Sequence, residues 1–262
     1  MNVRFVIRGF LLALPVALIV LAAGVYLQSP LSRAPEPTPP PPIIDAARGP
    51  IPAGPVALRE YARYRGGTYQ PVGSGFFLSL ESGEVVAVTP AHSVSLHQRQ
   101  NPLESIALGV DGQAYPFYEF DTLWGAPGGS LTPTNLALDY LLLRVDGSIE
   151  SRFLLRPDPR GGPQLGERVL VYSGVAGRGG EPRVLPGTVQ SATATAVWVL
   201  MDDLFNPSQM SGSPLISQHT GRVVGMVLAL SPRRTRFLIG AHPIGSLVQL
   251  AETASEFPRL GE

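Results

Sequence analysis

Cysteine is absent from the 262 residues of this chain, and so is lysine. Without cysteine there are no disulfide bonds, no zinc sites built from thiolates and no cysteine nucleophile. The 20 basic residues are therefore all arginine, and 20 acidic residues balance them to a formal charge of zero. A neutral chain lacks the positive field that attracts a phosphate backbone, so nucleic acid is not expected as a partner. No metal-ligand cluster and no phosphate-binding glycine loop is evident, so neither a metal nor a cofactor is expected.

The first 28 residues contain an uncharged apolar run, GFLLALPVALIVLAAGVYL, at positions 9–27. A helix of this length, at about 1.5 Å per residue, spans the hydrocarbon core of a bilayer. Arg4 and Arg8 precede the run, and basic flanks stay cytoplasmic, so the remainder is expected in the periplasm or outside the cell. A cleaved signal peptide is the alternative, with small residues at 22–24 for cleavage. The length of the run favours a single-pass transmembrane anchor.

Composition divides the rest of the chain in two. Residues 29–57 are rich in proline, which favours neither helix nor sheet, and they predict a semi-rigid spacer that holds the next domain away from the bilayer. Residues 58–262 contain short apolar runs such as GSGFFLSL, GEVVAVTP, ERVLVYSGV and RVVGMVLAL, separated by turn residues. Runs of this kind predict an all-β sandwich or barrel domain, with a single helix expected near its end at 242–257.

Three polar residues stand next to predicted strands. His92 follows the apolar run VVAVTP, Asp139 interrupts the apolar segment NLALDYLLLRV, and Ser211 lies in the turn QMSGSP. A buried carboxylate is costly without a partner, which Asp139 therefore requires. A serine hydroxyl becomes a nucleophile when an imidazole takes its proton and a carboxylate fixes the imidazole tautomer. These residues supply the three roles, although a structural histidine, a turn aspartate and a turn serine remain the alternative.

The segments around these residues resemble trypsin-like serine peptidases, in particular the bacterial branch related to the HtrA proteases. The similar segments are GSGFFLSLESGEVVAVTPAHSV, DYLLLRV and SGSPLIS with GRVVGMV, and the resemblance extends over about residues 70–258. It implies two packed antiparallel six-stranded β-barrels, one at about 66–150 and one at about 165–240, with the active site between them. A short helix is expected to close the domain, and no PDZ module is expected after it.

The same resemblance implies that His92 is the general base, Asp139 its orienting acid and Ser211 the nucleophile. In the family, a glycine usually stands two residues before the nucleophile, because its backbone N–H joins that of the serine to form the oxyanion hole. Gln209 occupies that position here. Its peptide either points inward at some backbone cost or turns over and removes the donor. Met210 and Leu141 are further departures from the family pattern.

The same resemblance implies a substrate pocket with its base near residues 204–206, including Phe205, and a wall containing Leu228 and Leu230. This lining suggests a small or apolar side chain at the cleavage position, whereas the nearby residues Asp202 and Asp203 would attract a basic one. The sequence thus predicts a membrane-anchored extracytoplasmic serine endopeptidase that acts on proteins or peptides. The alternative is a catalytically weak domain of the same fold that binds peptides by strand addition. An unrelated all-β surface protein is the third possibility, and the oligomeric state is not predicted.

Overall fold

A computed structural model describes residues 39–96, 100–129, 131–132, 134–177, 180, 183–233 and 235–261. The predicted anchor at 9–27 lies outside the described residues. None of the helices among the described residues qualifies as a candidate membrane span.

The first barrel contains seven strands, in the order β5-β4-β1-β2-β3-β6, with β7 beside β2. An antiparallel bridge between Leu123 and Leu143 joins the chain after β5 to β6 and so links the two ends of this order. The prediction of six antiparallel strands is wrong in one detail, because β7 is a two-residue strand that pairs parallel with β2. The strands are β1 Leu58–Tyr64, β2 Gln70–Ser79, β3 Val85–Thr89, β4 Leu103–Gly109, β5 Phe117–Phe120, β6 Leu141–Arg144 and β7 Leu154–Leu155.

The second barrel is closed and has six strands, in the order β10-β13-β12-β11-β8-β9. Its strands are β8 Arg168–Ser173, β9 Arg183–Ala192, β10 Val197–Met201, β11 Pro214–Ser217, β12 Val223–Pro232 and β13 Phe237–Pro243. Helix α1, Ile244–Glu252, follows and is shorter than predicted. It ends there because the Thr253 hydroxyl binds the carbonyl of Gln249, and the carbonyl of Glu256 accepts a hydrogen bond from Gly125 beside the first barrel.

Strand β2 shows how alternation builds two cores at once. Phe77 packs inside the first barrel, whereas its neighbours Phe76 and Leu78 belong to a cluster shared with Ile216 and Met226 of the second barrel. Successive side chains of a strand point to opposite faces, so one apolar run lines both cores. Each buried side chain of this size stabilises the fold by about 1.5–3 kcal/mol. The two barrels therefore share one apolar cluster.

The end of the predicted spacer, residues 46–57, lies against the second barrel. The carbonyl of Pro52 accepts a hydrogen bond from the Tyr172 hydroxyl at 2.7 Å, and that of Ala46 accepts one from the His219 ring at 2.8 Å. Proline lacks an N–H but keeps a carbonyl that can accept, and Gly49 of the same segment donates its N–H to the carbonyl of His219 at 3.0 Å. This part of the segment thus packs on the folded unit.

Candidate active site

His92 and Asp139 meet within the first barrel. His92 lies in a single helical turn, Ala91–Ser93, directly after β3, and Asp139 follows the turn Leu136–Leu138 that leads into β6. Strands β3 and β6 are paired, so the two turns lie side by side. Asp139 Oδ1 accepts the His92 backbone N–H at 3.0 Å, and Oδ2 lies 2.5 Å from His92 Nδ1.

Asp139 and His92 differ in their exposure to solvent, and this difference suits them to different roles. The Asp139 side chain is fully buried, whereas the His92 side chain is 36% exposed. The hydrogen bond that the His92 ring donates to Asp139 is the largest influence on the imidazole and raises the pKa of His92, against the opposing effect of burial. A carboxylate bonded to Nδ1 fixes the proton there and leaves Nε2 as the basic nitrogen. The pair has the geometry of a general base and its orienting acid.

Ser211 comes from a loop of the second barrel that is pressed against the first. Its carbonyl accepts a hydrogen bond from Ser74 N–H of β2 at 2.8 Å. The next residue, Gly212, has φ of 91°, and an added Cβ would lie 1.8 Å from Ser74 O and 2.8 Å from Pro90 Cδ. Glycine is therefore required for this approach. The loop consequently reaches the residues that immediately precede His92.

The hydroxyl of Ser211 donates to the carbonyl of Leu228 at 3.4 Å. No hydrogen bond joins it to His92 among the interactions of the described residues. The structure thus brings the Ser211 loop against Ser74 and Pro90, near the turn that carries His92, but the bond between base and nucleophile is not made among the described residues. Such catalytic hydrogen bonds are often formed only in the substrate complex.

Gln209 adopts a backbone conformation that glycine favours. Its φ is 60°, in the left-handed region, and it is the one described residue other than glycine with a positive φ. Its carbonyl accepts a hydrogen bond from the Ser74 hydroxyl at 2.8 Å. Within the described part of the chain, neither the Gln209 N–H nor the Ser211 N–H donates to a protein acceptor, whereas Gly212 N–H donates to Val227 O. The two donors needed for an oxyanion hole are therefore unused by the fold.

Two other departures from the family pattern are absorbed by packing. Met210 is buried in the core of the second barrel, and Leu141 is buried in that of the first. Met210 stands where the family has a polar residue, and Leu141 stands where it has a smaller one. Both apolar side chains are accommodated in the cores. Met210 also lines the apolar pocket beside Ser211.

Glu60 is a buried acid near His92 and Asp139, and the sequence analysis did not identify it. It lies on β1, and a Cβ added at Gly73 would lie 2.6 Å from Glu60 Oε2 and 3.2 Å from Ser211 O. Burial, the largest influence, raises the pKa of Glu60 to about 7. The Ser93 hydroxyl lies 2.8 Å from the carbonyl of Pro90 and 3.0 Å from Glu60 Oε1. A hydroxyl has one proton to donate, so a protonated Glu60 that donates to Ser93 satisfies both contacts.

An apolar pocket of about 230 Å³ opens beside Ser211. The predicted residues Phe205, Leu228 and Leu230 all line it, together with Pro207, Ser208, Met210, Val227, Ala229 and Ile239. No charged side chain is among the described residues of its lining. Neither Asp202 nor Asp203 is part of the lining, and Asp202 instead forms an ion pair with Arg168.

Comparison with known proteins agrees with this architecture. The sequence matches the family described as trypsin-like peptidase domain over residues 73–226, more than half of the chain. The chain therefore belongs to the trypsin-like peptidases. A search of curated proteins finds no match.

Similar solved structures include neuropsin, a serine protease expressed in the limbic system of mouse brain, with a TM-score of 0.52 and 14% identity, covering 78% of this chain and 96% of that one. The thermostable serine protease AL20 from an extremophilic microorganism has a TM-score of 0.54 and 9% identity, covering 77% and 97%. Kallikrein-related peptidase 10 has a TM-score of 0.51 and 15% identity, covering 78% and 96%. At these identities the likeness establishes the fold alone.

Proposed function

We propose that the chain is a serine endopeptidase that hydrolyses peptide bonds through His92, Asp139 and Ser211. The observation that carries this proposal is the pair of hydrogen bonds by which buried Asp139 holds the ring and the backbone of His92. These two bonds fix the orientation of the imidazole and leave Nε2 as its basic nitrogen. The match to the trypsin-like peptidases supports the same chemistry.

The reaction follows from the geometry. Rotation of the Ser211 side chain away from the Leu228 carbonyl brings its hydroxyl toward the cleft. His92 Nε2 takes the hydroxyl proton as Ser211 Oγ bonds to the substrate carbonyl carbon, and the Ser211 and Gln209 N–H groups stabilise the oxyanion. His92 then gives the proton to the leaving amine as the C–N bond breaks. A water molecule attacks the acyl-enzyme, with His92 again as base, and releases the carboxylic acid and free Ser211.

The pocket beside Ser211 selects the residue before the cleaved bond. Its lining is apolar, and Asp202 is already paired with Arg168 at 2.5 Å. A basic side chain would lose hydration there without gaining a partner, whereas an aliphatic one gains about 25 cal/mol for each Å² it buries. A panel of peptide substrates that differ at this residue is expected to favour leucine or valine over arginine.

The apolar run at 9–27 supports a further part of the proposal, a single-pass anchor with the peptidase domain in the periplasm or outside the cell. Arg4 and Arg8 before the run favour a cytoplasmic amino terminus. Protease accessibility of the domain in spheroplasts, which lack the outer barrier but keep the cytoplasmic membrane intact, tests this orientation. Cleavage only after the cytoplasmic membrane is permeabilised would contradict it.

A fluorophosphonate probe tests the catalytic proposal on the full chain in detergent. The probe forms a covalent bond with an activated serine, so labelling is expected for the native protein and lost in Ser211→Ala and His92→Ala. Ser95→Ala, an exposed serine near His92, is the matched control and should still be labelled. Labelling that persists in Ser211→Ala, or that does not depend on His92, would contradict the triad.

One observation favours a second function. The Ser211 hydroxyl is bonded to Leu228 O rather than to His92, and a peptidase fold without that bond still offers a cleft for an extended peptide. If the folded native protein binds the apolar peptides of the panel but neither cleaves them nor reacts with the probe, the domain is a peptide-binding module.

A further inference from the structure

The Gln209 side chain is held by two groups of the first barrel. Its Oε1 accepts a hydrogen bond from Arg59 Nη2, and its Nε2 donates to the carbonyl of Pro71 at 3.2 Å. Its backbone carbonyl is held as well, by the Ser74 hydroxyl at 2.8 Å. The residue with the least favourable backbone conformation in the active-site loop is thus also bonded at three separate atoms.

Arg59 is itself fixed before it reaches Gln209. Its Nη1 lies 2.5 Å from Asp111 Oδ1, and Asp111 Oδ2 accepts the Ala176 N–H at 3.1 Å. The Arg59 and Asp111 side chains are only 20% and 18% exposed. A planar guanidinium presents several donors in a fixed fork, so one arginine can bind a carboxylate and an amide oxygen at once. Asp111 follows β4 of the first barrel and Ala176 follows β8 of the second, so this network joins the two barrels.

A left-handed conformation disfavours any residue with a Cβ, and it persists only where surrounding contacts maintain it. A glycine at this position needs no such contacts. Gln209 has a Cβ, and it also has an amide side chain that reaches Arg59 and Pro71. The side chain of Gln209 therefore makes the contacts to Arg59 and Pro71 that hold its own backbone in this conformation.

We infer that Arg59 is a positioning residue for the oxyanion hole: together with Asp111 it clamps the Gln209 side chain and so keeps the Gln209 backbone left-handed, with its N–H free for the substrate oxyanion. This inference rests on the proposed function for its catalytic consequence. The structural claim, that the Gln209 backbone conformation depends on Arg59, does not require the protein to be catalytically active.

A double-mutant cycle between Arg59→Met and Gln209→Gly tests the clamp on the full chain. Loss of an oxyanion donor costs about 10²–10³-fold in kcat, so Arg59→Met alone is expected to lower kcat by about 10²-fold with little change in KM. In the Gln209→Gly background the same Arg59→Met change should cost less than about threefold, because glycine keeps the conformation unaided. Arg59→Lys keeps the charge but cannot bridge both acceptors, and should resemble Arg59→Met.

Arg63→Met is the matched control, since Arg63 lies on the same strand but binds Ser105 instead of the active-site loop. Thermal unfolding of every variant separates lost folding from lost positioning. The inference would be overturned if Arg59→Met lowered kcat by the same factor in the native background and in the Gln209→Gly background. A loss seen mainly in KM would also overturn it.

Crystal structures of the native protein and of Arg59→Met test the inference separately from the proposed function. If the native protein neither cleaves nor labels, the catalytic proposal fails, but the Gln209 backbone can still be compared. The clamp is supported if φ of Gln209 leaves the left-handed region in Arg59→Met, and it is overturned if φ stays near the native 60°.

Discussion

The two halves of the candidate active site are built differently. The base half, His92 and Asp139, is formed within the first barrel by two turns that follow or precede paired strands. The nucleophile half, Ser211 and Gln209, belongs to the second barrel but is held by Ser74 and Arg59 of the first. One half is therefore complete within its own barrel, whereas the other depends on contacts between barrels.

This difference assigns a role to the interface. The shared apolar core holds the barrels together, but burial of apolar area is non-directional and does not by itself set the position of the nucleophile loop. Hydrogen bonds from Ser74 and Arg59 then fix the loop in register with the base half. Changes in the base half are expected to alter chemistry alone, whereas changes at the interface should alter the shape of the nucleophile loop.

The largest effect is expected from Asp139→Asn, which breaks the base half. The backbone N–H of His92 can only donate, so the asparagine oxygen must face it, and the asparagine NH₂ then faces His92 Nδ1. Nδ1 becomes an acceptor and the proton moves to Nε2, where it blocks base catalysis. We expect kcat to fall on the order of 10⁴-fold, measured with an apolar peptide substrate.

The same variant should lower the pKa of His92, because the bond to Asp139 is the largest influence that raises it. A histidine titration followed by NMR measures this change. The nucleophile loop should be undisturbed, so the crystal structure should retain the left-handed Gln209. A variant that keeps most of its activity would show that Asp139 does not orient the base.

Glu60 lies where the two halves meet, and Glu60→Gln is expected to produce the next largest effect. Its carboxyl group faces His92, Asp139 and the hydroxyls of Thr89 and Ser93. Its pKa rises from 4.5 in the unfolded chain to about 7 in the folded protein. Between these values the folded state holds a proton that the unfolded state has released, so stability falls as pH rises from about 4.5 to 7.

Above pH 7 both states are ionised, and the penalty of the buried charge is complete. Each pKa unit corresponds to about 1.4 kcal/mol, so the free energy of unfolding of Glu60→Gln, measured relative to that of the native protein, should be higher at pH 8 than at pH 4 by about 3 kcal/mol. Urea unfolding of both proteins at the two pH values measures this difference. A difference that does not change with pH would show that Glu60 ionises normally.

The base half could be predicted from the sequence in a way that the interface could not. Asp139 in an apolar segment required a partner, and the structure supplies His92. Glu60 also had a local signal, because alternation in LREYARY places it on the inward face with Leu58 and Ala62. That signal was missed, since β1 was not recognised as a separate strand.

Contacts across the barrels have no such signal. Arg59 and Gln209 are 150 residues apart, and nothing near Arg59 in sequence indicates that its partner is a left-handed residue of another barrel. The end of the proline-rich segment is similar: its composition excludes helix and sheet but does not indicate which side chains its carbonyls will bind. Local patterns determine strands and turns, whereas these bonds depend on the final packing of the barrels.

Ser74→Ala gives the smallest expected effect and separates the two halves most sharply. It removes the hydroxyl that binds Gln209 O but keeps the backbone N–H that binds Ser211 O. One hydrogen bond contributes about 1 kcal/mol, so kcat should fall about fivefold while the pKa of His92 is unchanged. Ser105→Ala, a change at a serine that is also buried in the first barrel but away from the loop, is the control. A pKa of His92 that changes in Ser74→Ala would mean that the two halves are not independent. A bond to the nucleophile loop would then also support the base.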